Sequence, residues 1–308
     1  MAKKTSIGGQ ALIEGIMMRG PEKTAMAVRN PEGEIVLEMD ETKGKDRGAF
    51  FKLPVVRGLF NMYDSLSSGY KYLMRSAEIA GVDEDPKKKD KEPTKWDKLF
   101  DKLLMPIAMV LAVVLAMGLF LYIPMLLWKG LASLVPAIAE SYFLRACFEG
   151  ILRIIVFIGY VWATSLMKDI RRTYMYHGAE HKTIYCYEAG LPLTVENVRK
   201  QKRLHPRCGT SFLILTLIVG ILISMFIRID ALPLRMLVKL ATFPLVIGFG
   251  YELIKLAGRK DNTLTRIISM PGMALQKITT REPDDDMIEC AIAAMEKVIP
   301  ENADSDQW

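Results

Sequence analysis

From residue 103 to residue 128 the chain reads LLMPIAMVLAVVLAMGLFLYIPMLLW, without one charge. A helix needs about 20 apolar residues to cross the hydrocarbon core of a bilayer, and only helices and closed barrels satisfy their own backbone there. The run is therefore expected to be a transmembrane helix. Three more apolar runs follow it. Residues 146 to 167 carry Glu149 and Arg153, spaced i, i+4 so that they can neutralise each other on one face. Residues 211 to 227 are uncharged. Residues 234 to 257 include Lys239, Glu252 and Lys255; the lysines can snorkel, whereas Glu252 lies deeper and needs a partner. Four spans are expected.

Short-loop charge sets the expected orientation. Residues 168 to 207 hold nine Lys or Arg, and residues 129 to 145 hold only Lys129 and Arg145. The first loop then faces the cytoplasm, and an even span count puts both termini there as well. The polar, Gly-rich start lacks the pattern of a cleavable signal peptide. Three of the four cysteines, Cys186, Cys208 and Cys290, fall on the reducing side, and Cys147 lies near the outer end of the second span, so no disulfide framework is expected. The net charge of +6 follows from this asymmetry, which makes anionic lipid headgroups the expected partner and leaves no case for specific DNA binding.

The segments outside the spans divide the chain further. Residues 25 to 29 and 34 to 38, joined by Asn30-Pro31-Glu32-Gly33, read as a β-hairpin, and residues 8 to 21, apolar on both faces, read as a buried strand. Leu59, Tyr63, Leu66, Tyr70, Leu73 and Ala77 recur at the spacing of an amphipathic helix that packs on that sheet or lies on the membrane. The expected fold class is mainly α: a polytopic helical membrane protein with about four transmembrane helices and a small N-terminal α+β cytoplasmic region. Residues 1 to 82 form that region, 83 to 98 a charged linker, 99 to 258 the transmembrane part with a cytoplasmic loop at 168 to 210, and 259 to 308 C-terminal cytoplasmic helices. In the last part a helix from Thr263 is expected to break at Pro271-Gly272, and another follows Asp284-Asp285-Asp286.

All three histidines fall in the basic loop, as His177-Gly178-Ala179-Glu180-His181 and His205-Pro206-Arg207-Cys208. On a helix His177, Glu180 and His181 sit at about 0°, 300° and 40°, so two imidazoles and a carboxylate share one face. The string is H-x-x-E-H, the reversed zinc-hydrolase signature, with histidine ligands and a glutamate base. If His205 and Cys208 both join, the set is His₃Cys, closed and structural; if one protein ligand joins, a position stays open and Glu180 becomes the candidate general base. Glu252 is a further candidate ligand. Glu188 lies about 10 Å along the helix from His181, too far to share the ion, and Cys186 points to the opposite side. Such a motif also arises by chance, and two interfacial histidines can merely contact headgroups or carbonyls. The glycines at the N-terminus match neither a dinucleotide fingerprint nor a P-loop and are read as tight turns.

Four stretches together resemble the YqhQ family of bacterial multi-pass membrane proteins: Gly8-Gly9-Gln10-Ala11-Leu12-Ile13-Glu14-Gly15 continuing to Pro21, His177-Gly178-Ala179-Glu180-His181-Lys182, His205-Pro206-Arg207-Cys208-Gly209-Thr210-Ser211, and Thr280-Arg281-Glu282-Pro283-Asp284-Asp285. The resemblance implies a metal-dependent enzyme without an assigned substrate, and its scattered motifs suggest that several cytoplasmic segments assemble into one structure. The expected function is a zinc, or other divalent transition-metal, hydrolase at the cytoplasmic face of the cell membrane, acting on a lipid-linked or membrane-associated substrate. The alternatives are a scaffold or biogenesis factor that docks a ribosome, translocon or other membrane complex around a structural metal, and a small transporter.

Overall fold

Alternation along the first forty residues builds the sheet that organises the protein. In the computed structural model, which describes residues 4–42, 48–82, 103, 107–108, 110–259, 262–302 and 305–306, β1 (Gly8–Leu12), β2 (Gly15–Arg19), β3 (Lys23–Arg29) and β4 (Ile35–Glu41) form an antiparallel meander in that order. Gly33, at φ 89°, makes the expected hairpin turn between β3 and β4. Residues 8 to 21 are not one strand but a second hairpin, turned at Glu14 with φ 51°, because Ile13 and Glu14 sit where Leu12 pairs with Gly15. Both faces of the central strands are buried, which is why this stretch carries apolar residues on both.

Each face has its own cover. Ile16, Met18, Ala25 and Ala27 pack against Tyr176 and Ala179 of α4 (Lys168–Glu188) and against Ile288, Ala291 and Met295 of α10 (Asp285–Val298). On the other face Leu12, Met17, Met26 and Val28 pack against Tyr72 of α1 (Val56–Ile79). Burying a large apolar side chain contributes about 1.5–3 kcal/mol, so the sheet holds segments from both ends of the chain to the histidine helix. Only part of the predicted stripe of α1 is used: Tyr63, Leu66 and Tyr70 stay exposed.

The chain divides into two units, each discontinuous in sequence: Met1–Asp83 with Val161–Leu215 and Ile247–Trp308, and Glu84–Tyr160 with Thr216–Val246. The sequence boundaries at 82, 98 and 258 thus run along the chain, whereas the packing gathers N-terminal, histidine and C-terminal segments into the first unit. The proposed linker at 83 to 98 lies outside the described residues. In the first unit α5 (Val195–Arg199) is capped by the Thr194 side chain, which accepts from the Asn197 N–H. Helix α9 (Thr263–Thr279) departs from expectation by running through Pro271.

Among the described residues two helices are long and apolar enough to cross a membrane, α2 (Val110–Leu134) and α3 (Tyr142–Thr164). The expected third span is the shorter α6 (Gly209–Ser224), and the fourth is a pair, α7 (Leu232–Ala241) and α8 (Phe243–Arg259), bent by 43°. Among the described residues the count is two, or three if the bent pair is one span. In the second unit the expected Glu149–Arg153 neutralisation gives way to a pairing between helices: Glu149 meets Lys239, and Arg235 at 3.3 Å, while Arg153 Nε donates to the carbonyl of Phe120 at 2.8 Å. Lys239 does not snorkel, because a buried carboxylate one helix away is the better partner.

Candidate metal centre

Helix α4 is buried along much of its length because the sheet, α10 and the chain following α9 all lie against it. Gly178 makes the last contact possible: a Cβ there would sit 2.0 Å from the carbonyl oxygen of Arg281. The segment held so close donates Arg281 N–H to the Tyr174 carbonyl at 2.8 Å and presents the Thr279 carbonyl to His177. The helix then ends at Gly190, φ 68°.

These contacts fix both imidazoles. His177 Nδ1 donates to Thr279 O at 2.9 Å, and His181 Nδ1 donates to Arg203 O at 2.5 Å. A carbonyl only accepts, so each neutral ring carries its proton on Nδ1 and its lone pair on Nε2. His177 Nε2 lies 3.1 Å from Cys208 Sγ. Nε2 of His181 is buried with no hydrogen-bond partner among the described residues. Cys208 stands immediately before α6, its Sγ accepting from Thr210 N at 3.4 Å. The ligand atoms of His177, His181 and Cys208 all lie within 4.8 Å of one another. Tetrahedral zinc with two nitrogens and a sulfur needs them roughly 3.3–3.6 Å apart, so the 3.1 Å His177–Cys208 pair would open slightly while any wider separation closes. An orphaned lone pair aimed at a thiol and a second imidazole fits a soft divalent ion, and the carbonyl-bound Nδ1 atoms are the usual outer support of such ligands.

Electrostatics add to the geometry. Burial alone raises the Cys208 thiol, but His181 and Thr210 outweigh it and leave it below its ordinary value. Burial, then His177, holds His181 low. Glu180 is pushed up to about 7, first by burial and then by Cys208, against His177 and the N–H of Gly9. It lines, with His177, His181, His205 and Cys208, a cavity of about 320 Å³ closed on one side by Gly8-Gly9-Gln10.

Of the six residues singled out from the sequence, three form the cluster and Glu180 lines the same cavity. His205 is adjacent, its ring centroid 5.6 Å from that of His181, yet it serves another network. Its N–H donates to Gln276 at 2.7 Å, and its Nε2 faces Glu188 at 3.7 Å, beside the buried Glu188–Arg207 pair. Burial lowers its pKa despite Glu188. Glu252 is not brought to the cluster: it takes both arms of the Arg57 guanidinium, Nε at 2.7 Å, and the Val55 N–H at 3.3 Å. The charge that Glu252 needed is thus on α1, not on a metal. Cys186 is buried elsewhere, its Sγ near the Pro192 carbonyl at 3.5 Å.

Sequence reasoning missed the supporting shell. Gly9 is less a turn residue than a close-approach residue, since a Cβ there would stand 2.9 Å from the Glu180 carboxyl carbon. Thr279, Arg281 and Gln276 act through backbone or amide groups that no side-chain pattern reveals. The one signal was that glycine-rich and Thr-Arg-Glu-Pro stretches stood among the distinctive motifs.

No solved structure matches the chain. A family described as protein of unknown function (DUF1385) matches residues 53–301. The chain is also 33% identical over 303 residues, 97% of its length and 94% of the relative's, to the uncharacterized protein YqhQ of Bacillus subtilis (strain 168). With a match of that length, covering the helix that carries the histidines, Cys208 and the Thr279 segment that supports them, the chain belongs to the YqhQ family.

Proposed function

We propose that the protein is a membrane-embedded metal-dependent hydrolase, with zinc held by His177, His181 and Cys208 and Glu180 as general base. One observation carries this reading: three ligands converge on a cavity, and the fourth candidate, His205, is occupied by Glu188 and Arg207. Three protein ligands and an open position suit catalysis, whereas a structural site would close with a fourth. His177, His181 and Cys208 would hold the ion, which when bound would supply a Lewis acid able to activate water at neutral pH. Glu180 lies in the same cavity and coordinates nothing in this arrangement, so it is free to take the proton.

A lipid-linked or membrane-associated anionic substrate is supported by a neighbouring pocket of about 660 Å³ that shares His205 and Arg207 with the site. Lys4, Arg266 and Lys277 line it beside Ile267, Met270 and Met273, cations and apolar surface together. Residence in the cell membrane, with the site and both termini cytoplasmic, is supported by α2, whose Val110, Val113, Val114 and Leu115 are all more than half exposed, and by the Lys/Arg asymmetry. The return leg after α6 supports an even count. Arg145, near the start of α3, binds Asp230 at 2.8 Å and the Ile227 carbonyl at 2.9 Å, so the chain just past the C-terminal end of α6 meets the N-terminal end of α3.

The test is Glu180→Gln against Cys208→Ser, assayed for complementation of a deletion strain, metal content and thermal stability. A catalytic centre predicts that Glu180→Gln retains metal and fold but fails to complement. Full complementation by Glu180→Gln, with loss of both metal and stability in Cys208→Ser, would replace the hydrolase by a scaffold with a structural metal.

A further inference from the structure

The second unit buries more positive than negative charge. Arg235 and Lys239 pair with Glu149, whose side chain is 2% exposed, Arg153 lies within its electrostatic reach, and Asp230, itself 76% exposed, pairs with Arg145 and acts on Arg235 only through space. Arg145, one turn away on α3, already has Asp230. Glu149 pairs with Arg235 and Lys239, both on α7. Arg153, 8% exposed, spends Nε on a carbonyl and leaves Nη2 buried without a hydrogen-bond partner among the described residues. A buried cation is costly unless an anion meets it, and a guanidinium edge with an idle N–H suits a phosphate oxygen.

A cavity lies beside these cations. About 440 Å³ in volume, it is lined by Arg153 and Lys239 together with apolar residues that include Val113, Phe120, Leu217 and Phe243. This volume is within the range of about 300–1,000 Å³ of small-molecule sites, which join an apolar wall to a few polar groups. Two cations in a lining that is mostly apolar, with the hydroxyl residues Thr216, Ser224 and Thr242 among it, select a ligand with one anionic end and one apolar end. Free phosphate would leave most of the lining without a partner.

We propose that this cavity binds an anionic amphiphile, its phosphate head between Arg153 and Lys239 and its alkyl chain along α2, α6 and α8. The site is separate from the histidine cluster and does not depend on a metal there.

Equilibrium binding of radiolabelled dodecyl phosphate to the full chain, purified in an uncharged detergent, tests the proposal. One saturable site per chain is expected, displaced by unlabelled dodecyl phosphate but not by equal concentrations of dodecanol or inorganic phosphate. Arg153→Met should weaken binding at least about tenfold through loss of a charge-assisted contact. Gly220→Leu provides the second variant: the nearest atom to a Cβ at Gly220 is Val246 Cγ1 at 3.8 Å, so the new side chain enters the cavity without touching the charges. It should weaken binding comparably, while His177→Ala with His181→Ala should leave it unchanged. Absence of saturable binding, equal displacement by inorganic phosphate, or wild-type affinity in folded Gly220→Leu would overturn the proposal. If Arg153→Met does not fold, Gly220→Leu decides.

Discussion

His177 Nε2 stands 3.1 Å from Cys208 Sγ, although 31 positions separate the two residues. The approach is made by backbone, not by the pair itself. The Thr279 carbonyl turns the imidazole so that its lone pair faces inward, and the start of α6 delivers the thiol.

Gly178→Ala tests the closest support. A methyl group 2.0 Å from the Arg281 carbonyl oxygen must push the segment carrying Thr279 away from α4. Overpacking of this kind costs about 1–3 kcal/mol, and loss of an outer hydrogen bond to a ligand weakens metal binding about 10- to 100-fold. Thermal denaturation and metal titration of the variant should show both effects. An unchanged midpoint and affinity would mean that the segment is not held against Gly178.

His205→Ala separates neighbour from ligand. Because His205 faces Glu188 and Arg207, the variant should keep its metal. Arg207→Met should be the more damaging change, by about 3–5 kcal/mol, since it strands the buried Glu188 charge. Metal loss in His205→Ala beside a stable Arg207→Met would reverse these roles.

The same pair predicts an acid dependence. Burial raises the Glu188 carboxyl, but His205, Arg207 and the Thr5 N–H together hold it below 4.5. A carboxylate whose folded value is depressed stabilises the fold fully above its unfolded pKa and loses that contribution as pH falls through the folded value. Wild-type stability should therefore fall below about pH 4.5 more steeply than that of Glu188→Gln. Parallel pH profiles would remove Glu188 from the account.

Topology is tested by single cysteines at exposed positions, in a background with Cys147→Ser. Lys182 is unsuitable, being buried against Arg199 and Glu282, whereas Lys200 is exposed. A membrane-impermeant maleimide on intact cells should label Ser133→Cys and spare Lys200→Cys. The reverse pattern would place the histidines outside.

The sequence carried the parts of this protein that depend on periodicity or on side-chain type. The β3–β4 hairpin, α1 and the shared helical face of His177 and His181 were legible, whereas the choice between His205 and Cys208 beside them was left open. What was hidden depends on partners distant in sequence. Glu252 was read as a candidate ligand because Arg57, 195 positions away, could not be known to meet it. Glu149 looked paired with Arg153 on its own helix, but Lys239 and Arg235 offered better partners from another. Pro271 reads as a break by local rule, yet α9 continues through it, with Gly272 packed on Ser211. The unused stripe of Tyr63, Leu66 and Tyr70 shows the converse, a clear helical period that packing did not consume.

The central claim is that His177, His181 and Cys208 hold a metal. Elemental analysis of the purified full-length protein, beside a folded His177→Ala and His181→Ala double variant, tests it most directly. The account predicts about one zinc per chain in the wild type and none in the double variant. A wild type without a bound transition metal, or a double variant with unchanged content, would contradict it.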